Sequence, residues 1–217
     1  MTRIAVIGGH GKVALRLARI LSERGDRVTS IFRNRDHTDD VADTGAHSLV
    51  ADIEQLDTDA LTVLLAGQDA VVFSAGAGGG NPSRTYAVDR DAAIRVIDAA
   101  GRADVRRFVM VSYFGAGPDH GIPEADPFFP YAEAKAAADT HLRASSLDWT
   151  ILGPSRLTLE SATGRIAVGP GGKGEVSRDD VALVAAAALA DDATIGRTIE
   201  FNNGDVPIAE ALAAAGR

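Results

Sequence analysis

Residues 1–14, MTRIAVIGGHGKVA, decide how the rest of the chain is read. Ile4, Ala5, Val6 and Ile7 form the short apolar run of a strand buried on both faces, and it stops at Gly8-Gly9. From Gly11 the apolar residues fall at Val13, Leu17, Ile20 and Leu21, which is helical spacing. Strand, glycine turn and helix in that order predict a phosphate-binding βα unit. Glycines let a pyrophosphate approach the backbone, and the helix offers it unpaired N–H groups and the positive end of its dipole. Two registers fit: Gly9, Gly11 and Ala14 as G-x-G-x-x-A, or Gly8, Gly11 and Ala14 as G-x-x-G-x-x-A. His10, Lys12 and Val13 lie within this turn and the first helical turn and are expected beside the phosphates.

Working outward, the composition limits what such a unit belongs to. The chain has 217 residues, 46% of them hydrophobic, and a mean hydropathy of +0.02, which predicts one globular domain over residues 1–217 with a full core. No stretch approaches the roughly 18 to 20 apolar residues that span a bilayer, and the N-terminus enters a strand without a signal-peptide pattern, so a cytoplasmic location and no membrane partner are expected. Zero cysteines exclude disulfides and thiolate chemistry, and the five histidines show no H-x-x-x-H spacing, so no metal is expected. A formal net charge of −8 argues against nucleic acid as a partner and leaves a small molecule as the expected one; monomer and homodimer stay open.

Further along, Arg27 to Phe32 reads as a second strand ending at Arg33-Asn34-Arg35. An acidic residue at such a tip takes a ribose 2′-hydroxyl, whereas an arginine accommodates a 2′-phosphate, so Arg33 favours NADP(H) over NAD(H), with Arg35 as a second contact. His47 to Ala51 is a third strand; at its end Asp52 is placed to accept from an adenine amino group or to cap the turn, and Ile53 to pack on the ring. Asp69 to Phe73 is a fourth strand, followed by Ser74-Ala75-Gly76-Ala77-Gly78-Gly79-Gly80, small residues along which a cofactor can run. One long helix is expected within 81–100. Arg107 to Val111 is a fifth strand that delivers Ser112 to the same edge, and the Gly- and Pro-rich stretch 114–130 is expected to shape a substrate pocket. Leu147 to Leu152 is a sixth strand, which Gly153-Pro154 is expected to break where the nicotinamide end arrives; 153–177 is a second substrate-side segment with a flexible turn at 169–172.

Tyr131-Ala-Glu-Ala-Lys135 opens the helix after the 114–130 stretch. Positions i and i+4 share a helix face, so a phenol and an ammonium can point into one cleft. With three tyrosines and three lysines in the chain, this spacing is informative.

Taken together, Gly8-Gly9-His10-Gly11, Arg33, Asp52, Ser112, Tyr131-x-x-x-Lys135 and Ser177-Arg178-Asp179-Asp180-Val181-Ala182 resemble the atypical short-chain dehydrogenase/reductase family, in the NAD(P)-binding group that includes NmrA-like proteins and biliverdin reductase B-like flavin reductases. The resemblance implies a single-domain α/β Rossmann fold, a doubly wound and mostly parallel sheet with helices on both faces, and a cofactor across its carboxyl edge. It also implies that Tyr131 is the general acid/base, that Lys135 binds the nicotinamide ribose and favours tyrosinate, and that Ser112 orients the substrate oxygen. Ala14 departs from the family's third glycine, and the short chain leaves little room for a nucleotide sugar. The leading expectation is an NADP(H)-dependent oxidoreductase acting on a small carbonyl, alcohol or related acceptor. Its rivals are a dinucleotide sensor of the NmrA type and a flavin or quinone reductase.

Overall fold

A computed structural model describes residues 1–78, 81–169 and 174–215. Six parallel strands, β1 (Arg3–Ile7), β2 (Arg27–Phe32), β3 (His47–Val50), β4 (Ala70–Phe73), β5 (Arg107–Val111) and β6 (Asp148–Pro154), lie in the order β3-β2-β1-β4-β5-β6. The order reverses between β1 and β4, and ligands of open α/β sheets bind at the carboxyl ends beside such a switch point. Beyond β6 the sheet continues through β10 (Arg197–Asn203), parallel to β6, and then through β8 (Arg165–Val168) and β11 (Val206–Pro207), which are antiparallel. A separate parallel pair, β7 (Arg156–Thr158) and β9 (Glu175–Ser177), stands over the carboxyl edge.

The apolar runs of the sequence become two cores because successive strand residues face opposite sides. Ile4, Val6, Ala70 and Val72 pack with α1 (Lys12–Glu23), α7 (Arg178–Ala190) and α8 (Ile208–Ala215). Ala5, Ile7, Val71 and Phe73 pack with α3 (Thr58–Leu65), α5 (Ala93–Arg102) and α6 (Phe129–Ala144) on the other face. Ala14 is fully buried in the first core, so its methyl fills space at the foot of α1. Trp149 is partly buried against the second core. Among the described residues no helix is long and apolar enough to cross a membrane.

Two expectations change, and one element had not been expected. The helix of 81–100 is three consecutive pieces: a short α4 (Pro82–Thr85), a π-helical segment Tyr86–Ala92, and α5. Gly153-Pro154 does not end β6, which stays paired to β10 through Pro154 opposite Phe201. The Pro154 carbonyl still accepts from Phe114 N, just past the end of β5. A short helix α2 (Thr38–Ala42), preceded by a 3₁₀ turn at Arg35–His37, follows β2 and had no clear apolar signal. The glycine pair Gly79-Gly80, residues 170–172 of the expected turn and Lys173 lie outside the described residues.

Candidate cofactor and substrate site

The glycine turn is dictated first by its own backbone. Gly8 sits at φ +82°, and a Cβ there would come within 2.5 Å of Ala75 Cα; a Cβ on Gly9 would meet Ser30 Cβ at 2.6 Å. Both amides, Gly8 N and Gly9 N, donate to the Ile31 carbonyl, and Gly11 N donates to Gly8 O. The turn therefore lies against β2 and the loop after β4 before any ligand is considered. Gly11 is the N-cap of α1 and contributes no side-chain cap, and the first turn of α1 holds no acidic residue. Those N-terminal amides open onto a cavity walled by Gly11, Lys12, Val13, Ser74, Ala75 and Gly76. An uncapped helix end facing a small-residue wall fits a diphosphate, and it does so in the Gly8-x-x-Gly11-x-x-Ala14 register as well as in the other.

Next to it lies a pocket of about 360 Å³ whose walls include Gly8, His10, Arg33, Asp52, Ile53 and Arg84. Arg33 is thus at the expected corner, half exposed, while Arg35 is in the 3₁₀ turn beyond. Asp52 accepts from Glu54 N at 3.0 Å, so its turn-forming role is present in the geometry. The rings of His10 and His37 stack at 3.5 Å with a 4° interplanar angle, and Asp40 lies 3.0 Å from His10 Nε2. A metal ion sits near the plane of each imidazole that binds it; two nearly parallel planes 3.5 Å apart share no such point, so the pair serves as a wall of the pocket.

The remaining candidates meet at the other end of the cleft. Ser112, directly after β5, is buried and donates from Oγ to Asp139 Oδ2 at 2.6 Å. Lys135 is 1% exposed and donates from Nζ to the Val111 carbonyl at 2.8 Å. Burial raises the carboxyls of Asp89 and Asp139 above the usual range, and the Lys135 charge opposes this at both. Burial also raises the Tyr131 phenol, and Asp89 and Asp139 push it further the same way. Tyr131 is held as the neutral phenol by burial, while the Lys135 ammonium donates to the Val111 carbonyl and acts on Asp89 and Asp139 through its charge. Lys135 is not among the residues that wall the three cavities.

A cavity of about 1020 Å³ opens beyond Ser112 and Tyr131, walled by Tyr113, Phe114, Phe128, Pro154 and Leu157 among others. Tyr113, Phe128 and Tyr131 form an aromatic cluster with ring centroids 5.2 to 5.5 Å apart. Both the 114–130 and the 153–177 segments contribute walls. Ser112, Phe128, Tyr131 and Leu157 border this cavity and the cleft of α1 alike, while Ser74, Ala75 and Gly76 border both that cleft and the Arg33 pocket. The three form one trough along the carboxyl edge.

Three residues of the trough, Glu54, Arg84 and Asp89, and the buried Asp139 behind Ser112 were missed in the sequence. Asp139 carried a readable signal, since it continues the face of Tyr131 and Lys135 by one more helical turn. Asp89 carried none, because the π-helical segment alters which side chains turn inward; its Oδ2 accepts from Ala77 N at 2.9 Å. Glu54 and Arg84 meet across 30 positions, and no local pattern joins them.

Comparison with known proteins gives a family and several relatives. A family model described as NAD(P)H-binding matches residues 8–192. The uncharacterised sugar epimerase YhfK of Bacillus subtilis is 34% identical, covering 97% of this chain and 98% of its own. A solved structure from Bacillus halodurans, provisionally named an NAD-dependent epimerase/dehydratase, is 35% identical with a TM-score of 0.90, covering 99% of this chain and all of its own. The oxidoreductase YlbE of Lactococcus lactis is 28% identical with a TM-score of 0.85 over 98% of this chain and 95% of its own.

Proposed function

From the premise that this chain belongs to the NAD(P)H-binding family, in the atypical short-chain dehydrogenase/reductase group, we propose that it is an oxidoreductase that works with NADP(H) and a small carbonyl, alcohol or related acceptor. The observation that carries this reading is the continuity of the trough: the cleft at the head of α1 and the aromatic cavity share Ser112 and Tyr131 at their junction. A nicotinamide dinucleotide, when bound, supplies or accepts the hydride. The chain's own residues then do the rest. Gly8, Gly9 and Gly11 keep side chains out of the turn, and the first amides of α1 hold the diphosphate. Tyr131, held neutral by burial, donates its phenolic proton to the acceptor oxygen as the charge develops there. Ser112 has its own proton committed to Asp139, so it offers the cleft lone pairs and receives a hydrogen bond from a hydroxyl or N–H of the ligand.

The test is NADPH oxidation followed at 340 nm against aldehydes, ketones, quinones and riboflavin. Tyr131→Phe is expected to lower turnover by about 100-fold or more with NADPH affinity changed less than twofold. Turnover unaltered on every acceptor would remove the acid role. A second reading is favoured by the cluster of Tyr113, Phe128 and Tyr131: a flat acceptor such as a quinone or flavin stacking in the cavity, for which the Tyr131 proton is dispensable. Riboflavin reduction that survives Tyr131→Phe while aldehyde reduction is lost would select it. An epimerase returns its hydride within each cycle, so sustained loss of NADPH absorbance separates this reading from the activity named for YhfK. Dinucleotide binding without turnover on any acceptor would point instead to a sensor.

A further inference from the structure

Arg33 is half of a larger charge arrangement in the adenosine pocket. Glu54 Oε1 accepts from Arg33 Nη1 at 3.1 Å and from Arg84 Nε and Nη2 at 3.2 and 3.1 Å. The Glu54 side chain is 16% exposed, well inside the pocket wall, while Arg33 is half exposed and Arg84 one-third. Arg84 is anchored by a further bond from Nη1 to the Ala77 carbonyl at 3.0 Å, which ties it to the small-residue loop after β4. All three side chains wall the same pocket as Gly8, Asp52 and Ile53.

Two guanidinium groups are thus spaced so that one carboxylate oxygen bridges them. A phosphomonoester presents anionic oxygens of the same kind and suits the same forks. The seat therefore has one occupant already, supplied by the chain. With a 2′-hydroxyl on the ribose, Glu54 keeps both arginines and can accept from that hydroxyl. With a 2′-phosphate, Glu54 either yields the arginines or remains beside a second anion, and both choices weaken binding relative to a pocket without it.

We propose that Glu54 is a specificity-determining residue whose carboxylate holds the place between Arg33 and Arg84 that a 2′-phosphate requires. The site consequently accepts NADH as well as NADPH, and its preference for NADPH is limited by Glu54 and sustained by Arg84. This rests on the cofactor reading proposed above, with the adenosine end of the dinucleotide in the pocket of Arg33, Asp52 and Ile53.

The wild type, Glu54→Gln and Arg84→Gln are titrated with NADPH and NADH by nicotinamide fluorescence, and with 2′,5′-ADP and 5′-ADP by calorimetry. Glutamine keeps the size and the acceptor oxygen while removing the charge. Glu54→Gln is expected to raise the NADPH-to-NADH affinity ratio about tenfold, and Arg84→Gln to lower it by a similar factor, with NADH changed less than threefold in each. The 2′,5′-ADP to 5′-ADP ratio should follow. Both nucleotides binding with an unchanged or lowered ratio in Glu54→Gln overturns the proposal. So does an unchanged ratio in Arg84→Gln, whatever the folding of the first variant. A wild type that binds neither nucleotide overturns the cofactor reading itself.

Discussion

Lys135 and Tyr131 sit four residues apart on one helix, yet substitution should affect them differently because the charges around them differ. Lys135 is the cation that Asp89 and Asp139 share in a buried setting. Removing it takes away the cation that most offsets the burial of two carboxyls and the donor to the Val111 carbonyl, so Lys135→Met should destabilise the fold by about 1–3 kcal/mol, read as a lowered denaturant midpoint with unchanged slope. A variant of wild-type stability with low turnover would instead assign Lys135 a direct catalytic part. Tyr131 carries its effect through its proton. Its pKa is raised by burial and by the nearby carboxylates, so the phenol stays protonated as pH rises through the neutral range and past its ordinary value near 10. Reduction that relies on this acid should therefore hold a flat kcat from about pH 6 to 9, with any alkaline fall well above that range. A fall centred near neutrality, retained in Tyr131→Phe, would assign the proton to another group.

Among the elements, those that packing buries on both faces were legible and those that distant contacts build were not. β1, β4 and β5 appeared as apolar runs because each lies between two helical layers, and the turn at Gly8 was marked by the glycines its backbone requires. β8 and β11 gave little signal, because they are short strands at one end of the sheet whose partners lie more than 30 residues away in the chain. The buried partners of Lys135 were illegible for the same reason, apart from Asp139 on its own helix. At the head of α7, Ser177 Oγ accepts from Asp180 N at 2.9 Å, while Asp180 accepts from the amides of Thr163 and Gly164. Ser177→Ala should cost about 1 kcal/mol, measured by chemical denaturation, and loosen the segment before β8. Between β1 and β4, Asp69 pairs with Arg3 and is held at about 2 instead of 3.8. Its folded pKa is lowered, so this contribution is complete above the ordinary value and is lost as pH falls from about 3.8 to about 2. Asp69→Asn should flatten the acid-unfolding curve in that window.

For the whole molecule, ligand and fold are linked through the sheet edge, since the trough takes its walls from the ends of β1, β2, β4, β5 and β6 and from β7 and β9. Saturation with NADPH at about 100 times its dissociation constant should stabilise the native state by about 2.7 kcal/mol, read as a raised Tm that 5′-AMP reproduces only in part. The core beneath α1 has a further consequence, because Leu17, Ala18 and Leu21 pack with Val181, Val184 and Ala185 of α7. During translation the glycine turn leaves the ribosome early, yet the support for its helix is synthesised more than 150 residues later. A nascent chain arrested ahead of Val181 should fail to hold nucleotide, and retention on an immobilised adenine nucleotide should begin only once α7 has emerged from the exit tunnel.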